Sequence, residues 1–298
     1  MDSFFHLFSN GDDAKDFILS DEDRIAAVNR LAVVGELSGV RIVAFDIEDT
    51  HLHSLLSGAA EKCEQFKLLF QRRTRYYISL TRANSLDARF TLSMTPVTDF
   101  DYLKTVSVYI ICQATKDGKK VMPYDYRWSS AALYFRTGLN DLLWRQDEKG
   151  RFKTVRMVAD ISGKEYFKIF RTLERMPGNW EVCDNMVLPS SFVDVATFQS
   201  IFLTHNAFRT FCGAGRKADQ IVLDSMSQSR GVALEESEAR DITSRTCYGL
   251  FGFSDVRRLS VQQRICLARR MRADFGIGFS QLSRRVHLPE SELRKYIK

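Results

Sequence analysis

Two short stretches of the chain carry side chains whose types and spacing suit chemistry. The first is His51-Leu52-His53. In a strand, side chains i and i+2 leave the same face, so both imidazoles can converge on one cation. Neutral imidazole is a good ligand for divalent metals. Two histidines on a solvated strand face would give the same pattern. The second stretch is Tyr109-Ile110-Ile111-Cys112-Gln113, read as the middle of a helix. Residues i and i+4 share a helix face, so a phenol and an amide oxygen would point into one site. A mid-helix tyrosine packed half-buried would look the same.

The elements that must position these residues follow from local patterns. Phe4–Phe8 reads as a short strand closed by Ser9-Asn10-Gly11-Asp12-Asp13. Ser20 is an N-cap with Asp23 three residues on, and apolar residues at helical spacing run to about Leu37 before Ser38-Gly39. Val40–Ile47 and His51–Leu56 read as a hairpin, and Ala59–Arg82 as a long helix. Phe90–Met94 reads as another strand before Pro96, and Phe100–Thr115 as a further helix. That order predicts the α+β class, an antiparallel sheet with helices on one face.

Composition bounds the rest. The chain has 298 residues, enough for about two domains at roughly 150 residues each. Hydrophobic residues make up 45% and charged residues 27%, with 16 Gly and 5 Pro, which excludes a collagenous or low-complexity chain. No run of about 18 apolar residues exists, so no membrane span is expected. Met1–His6 lacks the basic and apolar regions of a signal peptide. Six scattered cysteines without a CxxC pair read as reduced thiols, not as disulfides or a zinc site. Together these predict a cytoplasmic protein. The net charge of +6 is uneven. Residues 225–298 hold 14 Lys/Arg against 8 Asp/Glu, whereas residues 1–224 hold 29 of each. A basic module on a neutral body is the footprint of nucleic-acid binding, although a solvated basic helix face has the same composition.

Taken together, in this order and spacing, the two motifs resemble the HUH endonucleases with a single catalytic tyrosine. More specifically the chain is similar to REP-associated tyrosine transposases (RAYT). Phe5-His6-Leu7 with Asn10-Gly11, and then Phe17–Arg24, resemble that family's opening strand and helix start. Val43–Ile47 through His51–Leu56 resembles its metal-binding hairpin, and Pro123–Ala131 its P-x-D-Y-x-W-S-S segment. The resemblance covers about residues 4–135. Two departures stand out. Gln113 is followed by Ala114-Thr115-Lys116-Asp117 where the family commonly has Asn followed by Pro-Val-Arg-Ala, and Asp49-Thr50 replaces Pro-Asn before the first histidine.

The resemblance implies a ferredoxin-like core and one Mg²⁺ or Mn²⁺ held by His51, His53 and Gln113. It implies that Tyr109 attacks a phosphodiester of single-stranded or hairpin DNA to give a 5′-phosphotyrosyl enzyme. Arg72, Arg73, Arg75, Tyr76 and Tyr77 would suit single-stranded DNA, with guanidinium groups on phosphates and rings for stacking; a solvated helix face with inward tyrosines fits equally. Asp46 and Glu48 are candidates to support the histidines. Trp128, Ser129 and Ser130 read as structural.

The C-terminal segment opens with Ser260 and Gln263 as a capping box. Phe279–Val286, a turn at His287–Glu290 and Ser291–Ile297 resemble a helix-turn-helix that would bind duplex DNA. Its candidate DNA contacts are Arg284, Arg285, Arg294 and Lys295. A basic helical cap is the competing reading. The expected organisation is therefore a nuclease domain over 1–138, a mixed and mainly helical connection over 139–224, and a basic helical module over 225–298. The function expected is a transposase-like, metal-dependent DNA endonuclease and strand-transferase, monomeric or homodimeric and associated with the bacterial nucleoid. A non-catalytic DNA-binding regulator that keeps the fold is the alternative. A metal phosphoesterase acting on small substrates fits the basic tail poorly.

Overall fold

The structure is a computed structural model that describes residues 3–9, 17–82, 90–116, 119, 121–136, 142–213, 222, 226, 236–275 and 277–297. It divides into two compact units, Met1–Val222 and Leu223–Lys298.

The first unit begins with β1 (Ser3–Ser9), α1 (Asp21–Ser38), β2 (Arg41–Ile47), β3 (Leu52–Gly58), α2 (Ala60–Thr81) and β4 (Leu92–Val97). The strands form one sheet in the order β2-β3-β1-β4, and every neighbouring pair is antiparallel. Local chemistry sets the boundaries. Ser20 Oγ accepts from Asp23 N at 3.3 Å, and Asp21, Glu22 and Asp23 place negative charge at the positive end of α1. Gly39, at φ +62°, ends the helix and donates to Glu36 O. The last strand extends past the expected stop at Pro96, because β4 is an edge strand and an edge tolerates a residue without an N–H.

Strand register divides the sheet into two faces. Phe8 pairs with His53 and His6 with Leu55, so these four residues share one face. Ile42 pairs with Leu56 on the other face. α1 and α2 pack together over that second face. A Cβ on Gly35 would lie 3.1 Å from Ile42 Cδ1, and one on Gly58 would lie 3.5 Å from Cys63 Sγ. α3 (Phe100–Ile111) covers the first face, with the Tyr109 ring against His6 and His53. Helices therefore cover both faces, which corrects the expectation of one. Two helices about 10 Å wide already span four strands spaced about 4.8 Å apart, so the third must lie opposite.

The outer edge of β2 is not left open. Ile47 N donates to Trp128 O at 3.0 Å, and Phe45 N donates to Ser130 Oγ at 2.9 Å. The hydroxyls of Tyr126 and Tyr134 donate to Ile47 O and Val43 O at 2.8 and 2.7 Å. The Tyr126–Tyr134 segment thus supplies the partners that an edge strand otherwise lacks.

After α4 (Gln113–Lys116) come α5 (Leu142–Arg145), β5 (Val155–Met157), α6 (Gly163–Phe170), β6 (Glu181–Cys183), β7 (Met186–Val187), α7 (Val195–Phe202) and α8 (His205–Gly213). This region, expected to be mainly helical connection, also holds a three-stranded sheet, β5-β6-β7. Its core of Ile161, Phe170, Trp180 and Val182 packs on Ala32 and Val33 of α1. The β6–β7 hairpin turns at Asp184 and Asn185, both at positive φ (51° and 62°), as a two-residue hairpin turn demands. Its strands are too short to carry a readable alternation.

The second unit holds α9 (Glu236–Phe251), α10 (Val261–Phe275), α11 (Phe279–Val286) and α12 (Glu290–Tyr296) around Leu267, Met271, Ile277, Leu282, Val286 and Leu293. The capping box at α10 is formed in both directions: Ser260 N donates to Gln263 Oε1 at 2.9 Å, and Gln263 N donates to Ser260 Oγ at 3.3 Å.

Asn29 ties the middle region to α1. Its Nδ2 donates to Asn185 O at 2.8 Å, and its Oδ1 accepts from Val187 N at 2.8 Å. Asn29→Ala leaves buried backbone groups unpaired and should cost about 2–3 kcal/mol in chemical denaturation. A change under about 0.5 kcal/mol would mean that this junction contributes nothing.

Candidate functional site

The site lies on the sheet face beneath α3. His53 is in β3, a central strand, and is 2% exposed. His51 is half-buried and sits just before the strand, in the turn closed by Glu48 N donating to His51 O at 2.8 Å. Only one of the two histidines is therefore a strand residue, contrary to expectation. Their rings still lie together, with centroids 5.1 Å apart at 81°. From above, the Tyr109 ring stands edge-on to His53 at 5.4 Å.

The helix that carries Tyr109 ends earlier than expected. α3 stops at Ile111, Cys112 leaves helical geometry (φ −101°, ψ 9°), and Gln113 opens α4. The Tyr109–Gln113 pair thus spans a helix break instead of lying mid-helix. The side chain bridges it: Gln113 Nε2 donates to Tyr109 O at 3.1 Å. Both residues are buried, Tyr109 at 7% exposure.

A third histidine, missed in the sequence reading as a site residue, completes the cluster. His6 of β1 is fully buried, and its Nε2 shares a hydrogen bond with His53 Nδ1 at 3.0 Å. It sits diagonally from His53 across the β1–β3 ladder and 6.0 Å from the Tyr109 ring centroid. Three of the chain's five histidines meet here. The signal was present in Phe4-Phe5-His6-Leu7-Phe8, a polar ring inside an apolar strand. Burial pushes the His6 pKa down to about 3, so it stays neutral.

Hydrogen bonds decide which atoms these side chains could offer a divalent cation. His53 Nδ1 is held by His6, and His51 Nδ1 lies 3.1 Å from Thr50 Oγ1. When a protein partner holds Nδ1, Nε2 is the ligating atom and the ring is fixed. Gln113 spends its Nε2 on the Tyr109 carbonyl, so Oε1 is the atom it would offer. Among the described residues, no three His, Cys, Asp or Glu side chains are placed to hold a metal ion.

A buried acidic pair lies alongside. Asp46 of β2 stands opposite His53 in register, and Glu48 follows two residues on; both are essentially inaccessible. Burial, and then the Glu48 carboxylate beside it, raise the Asp46 pKa well above the usual carboxylate range. Lys119 Nζ lies 2.6 Å from Glu48 Oε2 and 3.1 Å from the Tyr126 hydroxyl.

The basic cluster on α2 splits. Arg75 Nε donates to Phe90 O at 2.9 Å, Arg73 to Arg171 O at 3.2 Å, and the Tyr77 hydroxyl to Asp23 at 2.9 Å. These three hold the fold, while Arg72 and Tyr76, four residues apart, face solvent. In the second unit, Arg284 and Arg285 line a cleft. Arg294 and Lys295 pair with Glu290 and Glu292 of their own helix.

No protein-family model matches the chain, and no curated protein shows significant similarity to it. Among solved structures, one described as a REP-associated tyrosine transposase bound to a REP hairpin is similar over 43% of this chain and 75% of that chain. The identity is 14% and the TM-score 0.31, a likeness too slight to carry an argument about fold or activity. Among the described residues, no helix is long and apolar enough to cross a membrane.

His6 gives a pH signature. It is neutral when folded down to about pH 3, whereas the unfolded chain protonates near 6.5. The lowered folded pKa means that its contribution is fully present above pH 6.5 and is lost as pH falls toward 3. The stability gap between the wild type and His6→Gln should therefore shrink by about 1 kcal/mol per pH unit below 6.5. A gap that stays constant down to pH 5 would contradict the buried neutral imidazole.

Proposed function

We propose that the chain is a metal-dependent single-strand DNA endonuclease and strand-transferase acting through a 5′-phosphotyrosine on Tyr109. The observation that carries this reading is the placement of Tyr109 against His53, with His51 beside it and Gln113 bonded back to the Tyr109 carbonyl. The strand–helix–strand–strand–helix–strand order and the β2-β3-β1-β4 sheet support a ferredoxin-like nuclease core. The basic second unit supports a nucleic-acid substrate.

His51 Nε2, His53 Nε2 and Gln113 Oε1 would hold one Mg²⁺ or Mn²⁺. Such a cation supplies charge neutralisation at a non-bridging phosphate oxygen. The Tyr109 oxygen attacks phosphorus in line, losing its proton and forming the phosphotyrosyl bond. The bond to the 3′ oxygen breaks, and that oxygen leaves as a hydroxyl after taking a proton. Because a phosphodiester is exchanged for a phosphodiester, attack by another 3′-hydroxyl rejoins the strand without ATP. With His6 Nε2 as acceptor, His53 Nδ1 donates to it and His53 Nε2 is the nitrogen left to ligate.

One observation favours the alternative, a DNA-binding regulator that retains the fold: Tyr109 is only 7% exposed, so a scissile phosphate must displace neighbours to reach it. Cleavage separates the two readings. Tyr109→Phe removes only the hydroxyl. It should leave the thermal midpoint within a few degrees and lower Mn²⁺-dependent cleavage of a single-stranded hairpin by at least about 10³-fold. Substantial cleavage by Tyr109→Phe, or none by the wild type, would overturn the assignment.

The metal set is tested separately. His51→Ala and His53→Ala should each weaken Mn²⁺ binding in calorimetry by about 10-fold or more while leaving DNA affinity largely intact, since phosphate contacts dominate affinity. Unchanged Mn²⁺ binding in both variants would remove the histidines from the metal site.

A further inference from the structure

Leu68, Arg72, Tyr76 and Leu80 follow one another at intervals of four residues and form a ridge along the outer side of α2. Leu68 is 55% exposed, Tyr76 63% and Leu80 58%, and Arg72 faces solvent with them. The inner side of the helix belongs to the fold, with Phe66, Phe70, Thr74 and Ile78 buried. On the flanks, Arg73 donates to Arg171 O at 3.2 Å and Arg75 to Phe90 O at 2.9 Å, so both reach back to the chain's own carbonyls. Single exposed apolar residues are ordinary on a surface, whereas three large ones on one helix ridge mark a contact.

The ridge has a self-complementary order. Leu68 and Leu80 lie equally far from its centre at Thr74, and so do Arg72 and Tyr76. A two-fold axis through that centre sets Leu68 of one copy beside Leu80 of the other, and Arg72 beside Tyr76, with each contact made twice. Apolar side chains then meet apolar ones, and each guanidinium meets an aromatic ring, which gains cation–π attraction. A parallel alignment in register would set Arg72 on Arg72 instead. Rows of residues four apart pack against each other in the commonest class of helix crossing, at about −50°.

We propose that this ridge is a homodimer interface, in which α2 of one copy crosses α2 of a second copy antiparallel. Arg72 and Tyr76 alone would also suit single-stranded DNA, but Leu68 and Leu80 offer neither a charge for phosphate nor a ring for stacking, and so favour a protein partner. One helix crossing buries less than the roughly 1,600 Å² of a standard interface, so the dimer exchanges with monomer at micromolar concentrations. α2 covers the sheet face opposite His53, so the contact uses none of the residues grouped around Tyr109. The proposal is independent of nuclease chemistry.

The test is sedimentation equilibrium of the full-length chain from about 1 to about 200 µM, without DNA or divalent metal. The wild type should pass reversibly from monomer to dimer. Tyr76→Arg sets cation against cation at both symmetric contacts and should weaken the dimer about 10-fold or more. Arg72→Tyr added to Tyr76→Arg exchanges the partners, rebuilds both pairs and should return affinity to within about threefold of wild type. Leu68→Gln with Leu80→Gln keeps good helix formers, removes the apolar contacts and should also weaken the dimer about 10-fold or more. All four side chains lie outside the core, so circular dichroism should show each variant folded as the wild type is. A wild type still monomeric at about 200 µM overturns the interface. So does a dimer that Tyr76→Arg and the leucine pair leave unchanged, or one that the exchange fails to restore. A monomeric wild type whose binding of single-stranded DNA is weakened by Arg72→Gln with Tyr76→Ala would make the ridge a DNA surface instead.

Discussion

The hydrogen bond between His6 Nε2 and His53 Nδ1 is the contact on which the site depends. Both rings are buried on one sheet face, and a buried imidazole nitrogen without a partner costs about 1–3 kcal/mol. The bond forms only if β1 and β3 pair in the observed register, with Phe8 opposite His53. A slip of one residue would send every side chain to the other face, placing His6 under α1 and α2. The apolar residues of β1 and β3 and this polar pair therefore specify the same register. The ring that would hold a cation is oriented by the sheet itself before anything binds.

The remaining parts brace that arrangement from three sides. On the second face, α1 approaches β2 closely enough that Gly35 has no room for a side chain without moving Ile42. On the first face, α3 presses Tyr109 onto the histidines, and the Gln113 amide secures the helix end next to it. At the side, the hydroxyls of Tyr126, Ser130 and Tyr134 satisfy the outer edge of β2, the strand that carries Asp46. Loss of that edge cover would expose a strand to pairing with other chains and loosen the position opposite His53.

The sheet was legible because its strands have clear composition and its first helix carries a strong cap at Ser20. The His51–His53 and Tyr109–Gln113 pairs were legible as spacings; the structure sets the His51, His53 and Tyr109 rings together and bonds Gln113 to the Tyr109 carbonyl. Periodicity alone could not place the break at Cys112, since a single residue leaving helical geometry does not disturb the apolar pattern of its neighbours. The role of His6 was not legible because its partner lies 47 residues away, a contact that only strand register creates. The arginines of α2 look alike in sequence, yet Arg73 and Arg75 cap backbone carbonyls while Arg72 faces solvent; burial distinguishes them, and composition does not.

The central claim is that Tyr109 is the nucleophile in a covalent DNA exchange, and peptide mapping of the trapped adduct tests it most directly. The wild-type protein is incubated with a hairpin whose strand is cut once and with Mn²⁺, then digested, and the nucleotide-bearing peptide is sequenced by mass spectrometry. The account predicts a phosphodiester-linked nucleotide on Tyr109, and its absence when Mn²⁺ is chelated. A nucleotide on Tyr102 or on any other residue, or cleaved DNA with no protein adduct, would contradict it.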